Sequence, residues 1–195
     1  MALFDWISGD HDLRLRGRTV RLRPHRASDF QEWAELRERS RAFLQPWEPV
    51  WPADDLTRPA FRRRLSAYAQ DIERGVAFPF LVFGPGDVLV GGITLSNIRR
   101  GVAQMGSIGY WIGEEHARRG YTVDAVRTVT DFCFDRLRLH RVEAACIPTN
   151  VASQAVLRKA GFQLEGLARE YLKIDGVWRD HLLFGLIRPG EAPPV

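Results

Sequence analysis

MGSIGYWIGEEHARRGYT, residues Met105 to Thr122, is the stretch on which the fold turns. Ser107 to Ile112 (SIGYWI) reads as a strand that stops at Gly113, and a basic turn with Arg118, Arg119 and Gly120 leads into a helix. From Thr122 to Leu137 apolar residues recur at helical spacing: Val123, Val126, Val129, Phe132, Cys133 and Leu137. The first turn of such a helix carries N–H groups without intrahelical acceptors, here beside two guanidinium groups. The helix dipole and the arginines both favour an anion at this point, and a phosphorylated cofactor is the expected occupant. The pattern alone does not settle this, since a strand, a basic turn and a helix also occur in folds that bind nothing.

Working outward, Val20 to Arg23 alternates apolar and basic residues as a half-buried strand does, ending at Pro24. Ser28 is the expected cap of a helix over Asp29 to Ser40, followed by an irregular, Pro- and Trp-rich stretch, Phe43 to Pro52 (FLQPWEPVWP). That stretch either packs as a lid or lines a pocket for a substrate chain. Thr57 caps a second helix, with Pro59 in its first turn and Gly75 past its end. Phe78 to Phe83 and Val88 to Leu95 form a hairpin. Its Gly84–Asp87 turn joins two strands and is therefore no phosphate loop. After the central strand and helix come a strand over Val142 to Ile147 and a helix from Asn150 to Ala160 that ends at Gly161. Two long extended runs follow, Phe162 to Ile174 and Val177 to Ile187, turning at Asp175 and Gly176. The expected class is α/β with a mixed sheet.

With 195 residues, 45% of them hydrophobic, the chain can bury one substantial core, and no linker-like segment divides it. A single domain over 1–195 is expected, with a core over about 19–187 and loose ends at 1–12 and 188–195. No apolar run reaches the length of a membrane helix, and the N-terminal MALFDWISGDHD lacks the order of a signal peptide; a cytoplasmic protein with no membrane partner is expected. Cys133 and Cys146 read as reduced core residues, and no metal-ligand spacing is present. The net charge is +4, with arginine clusters at 14–23 and 62–64. No aromatic-interleaved RNA motif accompanies them, so they read first as solvated faces, and no DNA partner is expected.

Two segments resemble the GNAT family of acetyl-CoA-dependent N-acetyltransferases. EEHARRGYT (Glu114 to Thr122) sits where that family has its pyrophosphate loop, with Gly120 matching and with Ala117 and Thr122 departing from the usual residues. NVASQAVLRKAGF (Asn150 to Phe162) is similar to the family's segment after the next strand. FLQPWEP (Phe43 to Pro49), SNIRRG (Ser96 to Gly101) and EGLAREYLKIDGVWRDHLL (Glu165 to Leu183) resemble the RimJ type, the ribosomal-protein-alanine acetyltransferases. The resemblance covers about Thr19 to Leu186. It implies a single GNAT-like domain: a mixed, mostly antiparallel sheet whose central strands splay, flanked by helices, with acetyl-CoA as acetyl donor.

By the same resemblance, backbone groups of Tyr110, Trp111 and Ile112 hold the pantetheine arm, and N–H groups from Arg118, Arg119, Gly120, Tyr121, Thr122 and Val123 cradle the pyrophosphate. Asn150 contacts the arm and Ser153 faces the sulfur. Many relatives place a tyrosine general acid seven residues after the Asn, where this chain has Leu157. Ser153 is therefore the candidate that stabilises or protonates the leaving thiolate. The expected acceptor side comprises Trp47, Glu48, Glu165, Tyr171 and His181, with Glu48 as a candidate to bind the ammonium or take its proton, and Asp180 and His181 as a candidate structural pair. Deprotonating a free α-amine at pH 7 costs about 1 kcal/mol against about 4.6 kcal/mol for a lysine, so a weak base suffices for an N-terminus. The expected reaction is acetylation of a protein α-amine, on a ribosomal protein beginning with alanine, with ribosome association and a monomer or homodimer. A small-molecule amine as acceptor, and a ribosome-binding assembly factor, stay open as alternatives. Cys146 invites a thiol relay, but within a strand it reads as packing.

Overall fold

FPFLVF, residues 78–83, is buried at every position, as expected of a strand covered on both faces. In the computed structural model, which describes residues 13–190, it is the third of eight strands. These are β1 (Leu15–Arg16), β2 (Arg21–Pro24), β3 (Phe78–Phe83), β4 (Leu89–Arg99), β5 (Met105–Ile112), β6 (Arg141–Cys146), β7 (Gln163–Ile174) and β8 (Val177–Ile187). They form one sheet in the order β1-β2-β3-β4-β5-β6-β8-β7. Every pairing is antiparallel except β5 with β6, which is parallel.

Strand alternation sends the side chains into two cores. Phe78, Phe80, Val82, Ile108, Val142, Ala144 and Cys146 pack with α4 (Tyr121–Asp131) and α5 (Val151–Ala160). Leu81, Phe83 and Leu89 pack with Trp33 and Leu36 of α1 (Phe30–Arg39) and with Phe61 of α3 (Arg58–Glu73); Trp111 joins this second cluster. A short helix, α2 (Arg41–Leu44), lies between α1 and α3 in the chain. The result is an α/β domain with helices on both faces of the sheet.

Several local features differ from those expected. Ser28 lies inside a 3-10 turn (Ala27–Asp29) and does not cap; the Asp29 carboxylate instead accepts Arg26 N at 2.7 Å and two hydrogen bonds from the Arg23 guanidinium. The Phe43–Pro52 stretch is partly helical, with α2 running into a 3-10 turn over Gln45–Trp47. The helix from Tyr121 becomes a π-helix at Phe132–Arg136, where Leu137 N reaches back to Phe132 O. The added residue in that turn lets Phe132, Cys133 and Phe134 all be buried. Strand β1 precedes the expected start of the core. Arg188 is anchored by its N–H on His140 O, while positions 1–12 and 191–195 lie outside the described residues.

Strand β1 and its turn are held by one carboxylate in the first turn of α4. Asp124 accepts Arg18 N (3.1 Å), Thr19 N (2.6 Å), Val20 N (3.1 Å) and Thr19 Oγ1 (2.8 Å). Burial raises its pKa, but these donors outweigh burial and hold the group below the ordinary aspartate value. A Cβ at Gly17 would stand 2.6 Å from Thr128 Oγ1 and 2.9 Å from the Asp124 carboxylate, so the close approach requires glycine.

Candidate active site

β5 and β6 are paired over four positions only, from Met105↔Arg141 to Ile108↔Ala144. Beyond them β5 stays with β4 as far as Ile112↔Gly91, and β6 stays with β8 as far as Cys146↔Leu182. The two strands part because each is retained by its outer neighbour. Gly113 N donates to Val90 O at 2.8 Å, and a Cβ at Gly91 would collide with the Trp111 carbonyl, so the backbone groups of Trp111 and Gly113 face β4. Alternation turns those of Tyr110 and Ile112 into the opening. Trp111, expected among the backbone groups that hold the cofactor, instead faces β4 with its backbone and offers its ring to Arg37 at 5.0 Å.

At the end of β5 the chain makes a 3-10 turn (Glu114–His116), passes through Arg118 at φ 63° and Gly120 at φ 83°, and enters α4. The first hydrogen bond of α4 runs from Asp124 N to Gly120 O, leaving the N–H groups of Tyr121, Thr122 and Val123 without helical partners. Arg118, Arg119 and Gly120 are exposed beside them. Glycine at the left-handed position removes the steric penalty and leaves the backbone bare. The turn is braced from behind: Glu114 N donates to the buried Ser40 Oγ at 3.0 Å. These features suit a diphosphate.

On the helical side of the opening, Asn150 caps α5 by accepting Ser153 N at 3.0 Å. This places Ser153 Oγ 2.8 Å from the Tyr110 hydroxyl. Burial pushes the Tyr110 phenol well above its ordinary value, partly offset by the hydrogen bond with Ser153. Cys146, 6% exposed, joins the same group: burial raises its thiol pKa, and a hydrogen bond with Ser153 offsets part of the effect. Leu157, at the position of the absent tyrosine, is fully buried in the core.

The other side of the opening is a cavity of about 280 Å³. Its walls include Ser96 and Asn97 of β4, Ser107 and Gly109 of β5, Glu143 of β6, and Tyr171 of β7. Asn97 has φ 51°, at a register break between Ser96 and Arg99, and the break shapes one wall. Glu165 and Arg141 also line the cavity. Arg141 donates to both oxygens of Glu165 and, through Nε, to Glu143 Oε1 at 2.9 Å. The guanidinium beside Glu165 holds that carboxyl below its usual range. Glu143, which stands opposite Ser107 in the parallel pair, was not expected from the sequence. The alternation Arg141, Glu143, Ala145 puts it on the cavity face, but locating it requires knowing that β5 and β6 are neighbours. A larger cavity of about 430 Å³, lined by Arg127, Asp131 and Asp135 among others, contains none of the residues singled out from the sequence.

Glu48 does not line the cavity. Its carboxylate accepts Arg37 Nη1 (3.0 Å) and Nη2 (2.7 Å) and Trp51 Nε1 (2.7 Å), and its carbonyl accepts Asp175 N from the β7–β8 turn (2.9 Å). It thus ties together α1, the Trp-rich segment and the hairpin tip. Arg37, which looks like a surface residue in sequence, is buried between this carboxylate and the Trp51 and Trp111 rings. Trp47 is 37% exposed. His181 is buried, with Nδ1 2.9 Å from Arg179 O and its ring 5.8 Å from that of Tyr171. Asp180 and His181 do not pair: Asp180 accepts Glu170 N across the hairpin. Among the described residues there is no group of three His, Cys, Asp or Glu able to hold a metal, and no helix is long and apolar enough to cross a membrane.

Comparison with known proteins agrees with this geometry. Residues 19–163 match the family described as the Acetyltransferase (GNAT) domain. The chain is 36% identical over 178 residues to the probable N-acetyltransferase YjcK of Bacillus subtilis strain 168, covering 91% of this chain and 98% of that one. It is 32% identical to the ribosomal protein uS5-alanine N-acetyltransferase of Escherichia coli K12, over 92% and 94% of the two chains. Among solved structures it superposes on Mycobacterium smegmatis RimJ in complex with CoA-disulfide with a TM-score of 0.85 at 34% identity, covering 95% and 90% of the chains. The Vibrio fischeri ribosomal-protein-S5-alanine acetyltransferase gives a TM-score of 0.85 at 32% identity, over 93% and 100%. The chain belongs to the GNAT family and is an acyltransferase with the single α/β domain of that family.

Proposed function

We propose that this acyltransferase moves an acetyl group from acetyl-CoA directly to the N-terminal α-amine of a protein, a ribosomal protein beginning with alanine, in the cytoplasm. One observation carries the reading: an opening between β5 and β6 with a hydroxyl pair on one side, a carboxylate-lined cavity on the other and an anion-suited turn at its mouth. The relatives that act on the alanine of uS5 or S5 support the acceptor class. Bound acetyl-CoA supplies an activated thioester. Arg118, Arg119 and the N–H groups from Gly120 to Val123 would hold its diphosphate, and the backbone of Tyr110 and Ile112 its arm.

Alignment and charge stabilisation are then the main tasks of the protein. The ammonium first gives one proton to water; the amine nitrogen then joins the acetyl carbon as the carbon–sulfur bond breaks, the electron pair leaves on sulfur, where the Ser153 hydroxyl would meet it, and the second proton of the amine ends on that sulfur to give the free thiol. Glu143 and Glu165 face the incoming ammonium from the cavity. Tyr171 lines the same cavity, and His181 braces the Tyr171 ring. Glu48, engaged by Arg37 and Trp51 outside that cavity, holds the Trp47-bearing segment against the tip of the β7–β8 hairpin.

Calorimetry with acetyl-CoA tests the donor site, and absence of binding refutes the reading. Incubation with radiolabelled acetyl-CoA and a panel of alanine-initiated peptides, free amino acids and small amines tests the acceptor. Label on peptides with free N-termini is the expected result. Label on small amines alone would replace the protein substrate with a metabolite.

A further inference from the structure

The sequence lacks the helix tyrosine that many relatives use as acid, yet a phenol stands at the opening from a different element. Tyr110 projects from β5, on the face that packs with α4 and α5, and its hydroxyl lies 2.8 Å from Ser153 Oγ. We propose that Tyr110 is a positioning residue: by donating to Ser153 Oγ it occupies the serine's acceptor side and directs the serine proton into the opening, toward the sulfur of the leaving thiol. This deepens the acetyl-transfer reading and rests on it.

Four points support the assignment. A serine hydroxyl has one proton and two lone pairs, so with the phenol on one lone pair and the Cys146 thiol, which burial keeps protonated, on the other, its own proton is left for a further partner. Burial of Tyr110 disfavours the phenolate, so the phenol keeps the proton that this role requires it to donate throughout the working pH range. The backbone of α5 is fixed at this point by the Asn150 cap, which sets Ser153 at a constant distance from β5. The phenol oxygen also lies 3.4 Å from the Ser153 carbonyl, so a serine that swung away would leave Tyr110 a poorer partner.

The test uses the full chain and three variants, Tyr110→Phe, Ser153→Ala and the double variant. Calorimetry with CoA and with desulfo-CoA, which lacks the thiol, reads the contact without turnover. The wild-type chain should bind CoA about fivefold more tightly than desulfo-CoA, and both single variants should lose that preference while binding desulfo-CoA as the wild type does. In steady state, Tyr110→Phe should lower kcat about tenfold with little change in KM for acetyl-CoA, and should add nothing when combined with Ser153→Ala. Full preference and full turnover in Tyr110→Phe would overturn the inference, as would losses that multiply in the double variant. Should Tyr110→Phe lose its melting transition, difluorotyrosine at position 110 keeps the shape and acidifies the phenol. Its kcat should then fall at a lower pH than in the wild type, and an unmoved profile would overturn the role. A wild-type chain that binds neither CoA nor desulfo-CoA fails at the acetyl-transfer reading itself, which distinguishes the two failures.

Discussion

Glu143 offers one oxygen to Arg141 and, among the described residues, no protein donor meets the other. With Glu165 it gives the cavity two carboxylates against one guanidinium, a charge balance that favours a single cation. Glu143→Gln is expected to raise KM for amine acceptors about tenfold and to leave CoA affinity unchanged; steady-state kinetics beside calorimetry checks this, and an unchanged KM removes Glu143 from the acceptor site. At this scale the sequence was informative where chemistry follows the local chain. Asn150 and Thr57 cap their helices as their residue types and positions suggest. It was uninformative where partners meet across the sheet. Nothing local reveals that Tyr110 meets Ser153, that Arg37 is buried on Glu48, or that Glu143 stands opposite Ser107.

Elements were legible where their periodicity was strong. The run SIGYWI, the helix after Gly120 and the hairpin at Asp175–Gly176 form within a residue or two of the expected limits. The misses have local causes. Strand β1 is two residues long, too short for a pattern, and exists because Asp124 gathers the N–H groups of Arg18, Thr19 and Val20. Asp124→Ala should therefore lower unfolding free energy by about 2 kcal/mol in urea titrations, since three backbone donors lose a charged acceptor. Hydrogen exchange should quicken at 18–20 before it does so in β3. A loss below about 0.5 kcal/mol would mean that water replaces the carboxylate at no cost. The π-helix at Phe132–Arg136 escaped notice because Phe132, Cys133 and Leu137 fit a regular helix nearly as well.

For the molecule as a whole, the sheet order was out of reach, because β7 and β8 reverse their places only through contacts distant in sequence. Acid stability is also a property of the assembled domain. His25 packs against Tyr68 and Phe61, and burial lowers its pKa from 6.5 to about 4. Between those values the unfolded chain binds more protons than the folded one, so stability is complete above pH 6.5, falls as the pH drops toward 4, and is flat below. The loss attributable to this ring is about 3 kcal/mol, and His25→Gln should flatten that part of a denaturation series measured from about pH 7 to 4. The parting of β5 and β6 has a consequence of another kind. It creates a strand edge in the middle of a sheet, where the peptide groups of Tyr110 and Ile112 meet no neighbouring strand among the described residues. A flexible guest bearing amides can lie there as a ninth, borrowed strand, so whatever fills the cleft also mends the sheet, and melting temperature should climb with the logarithm of its concentration.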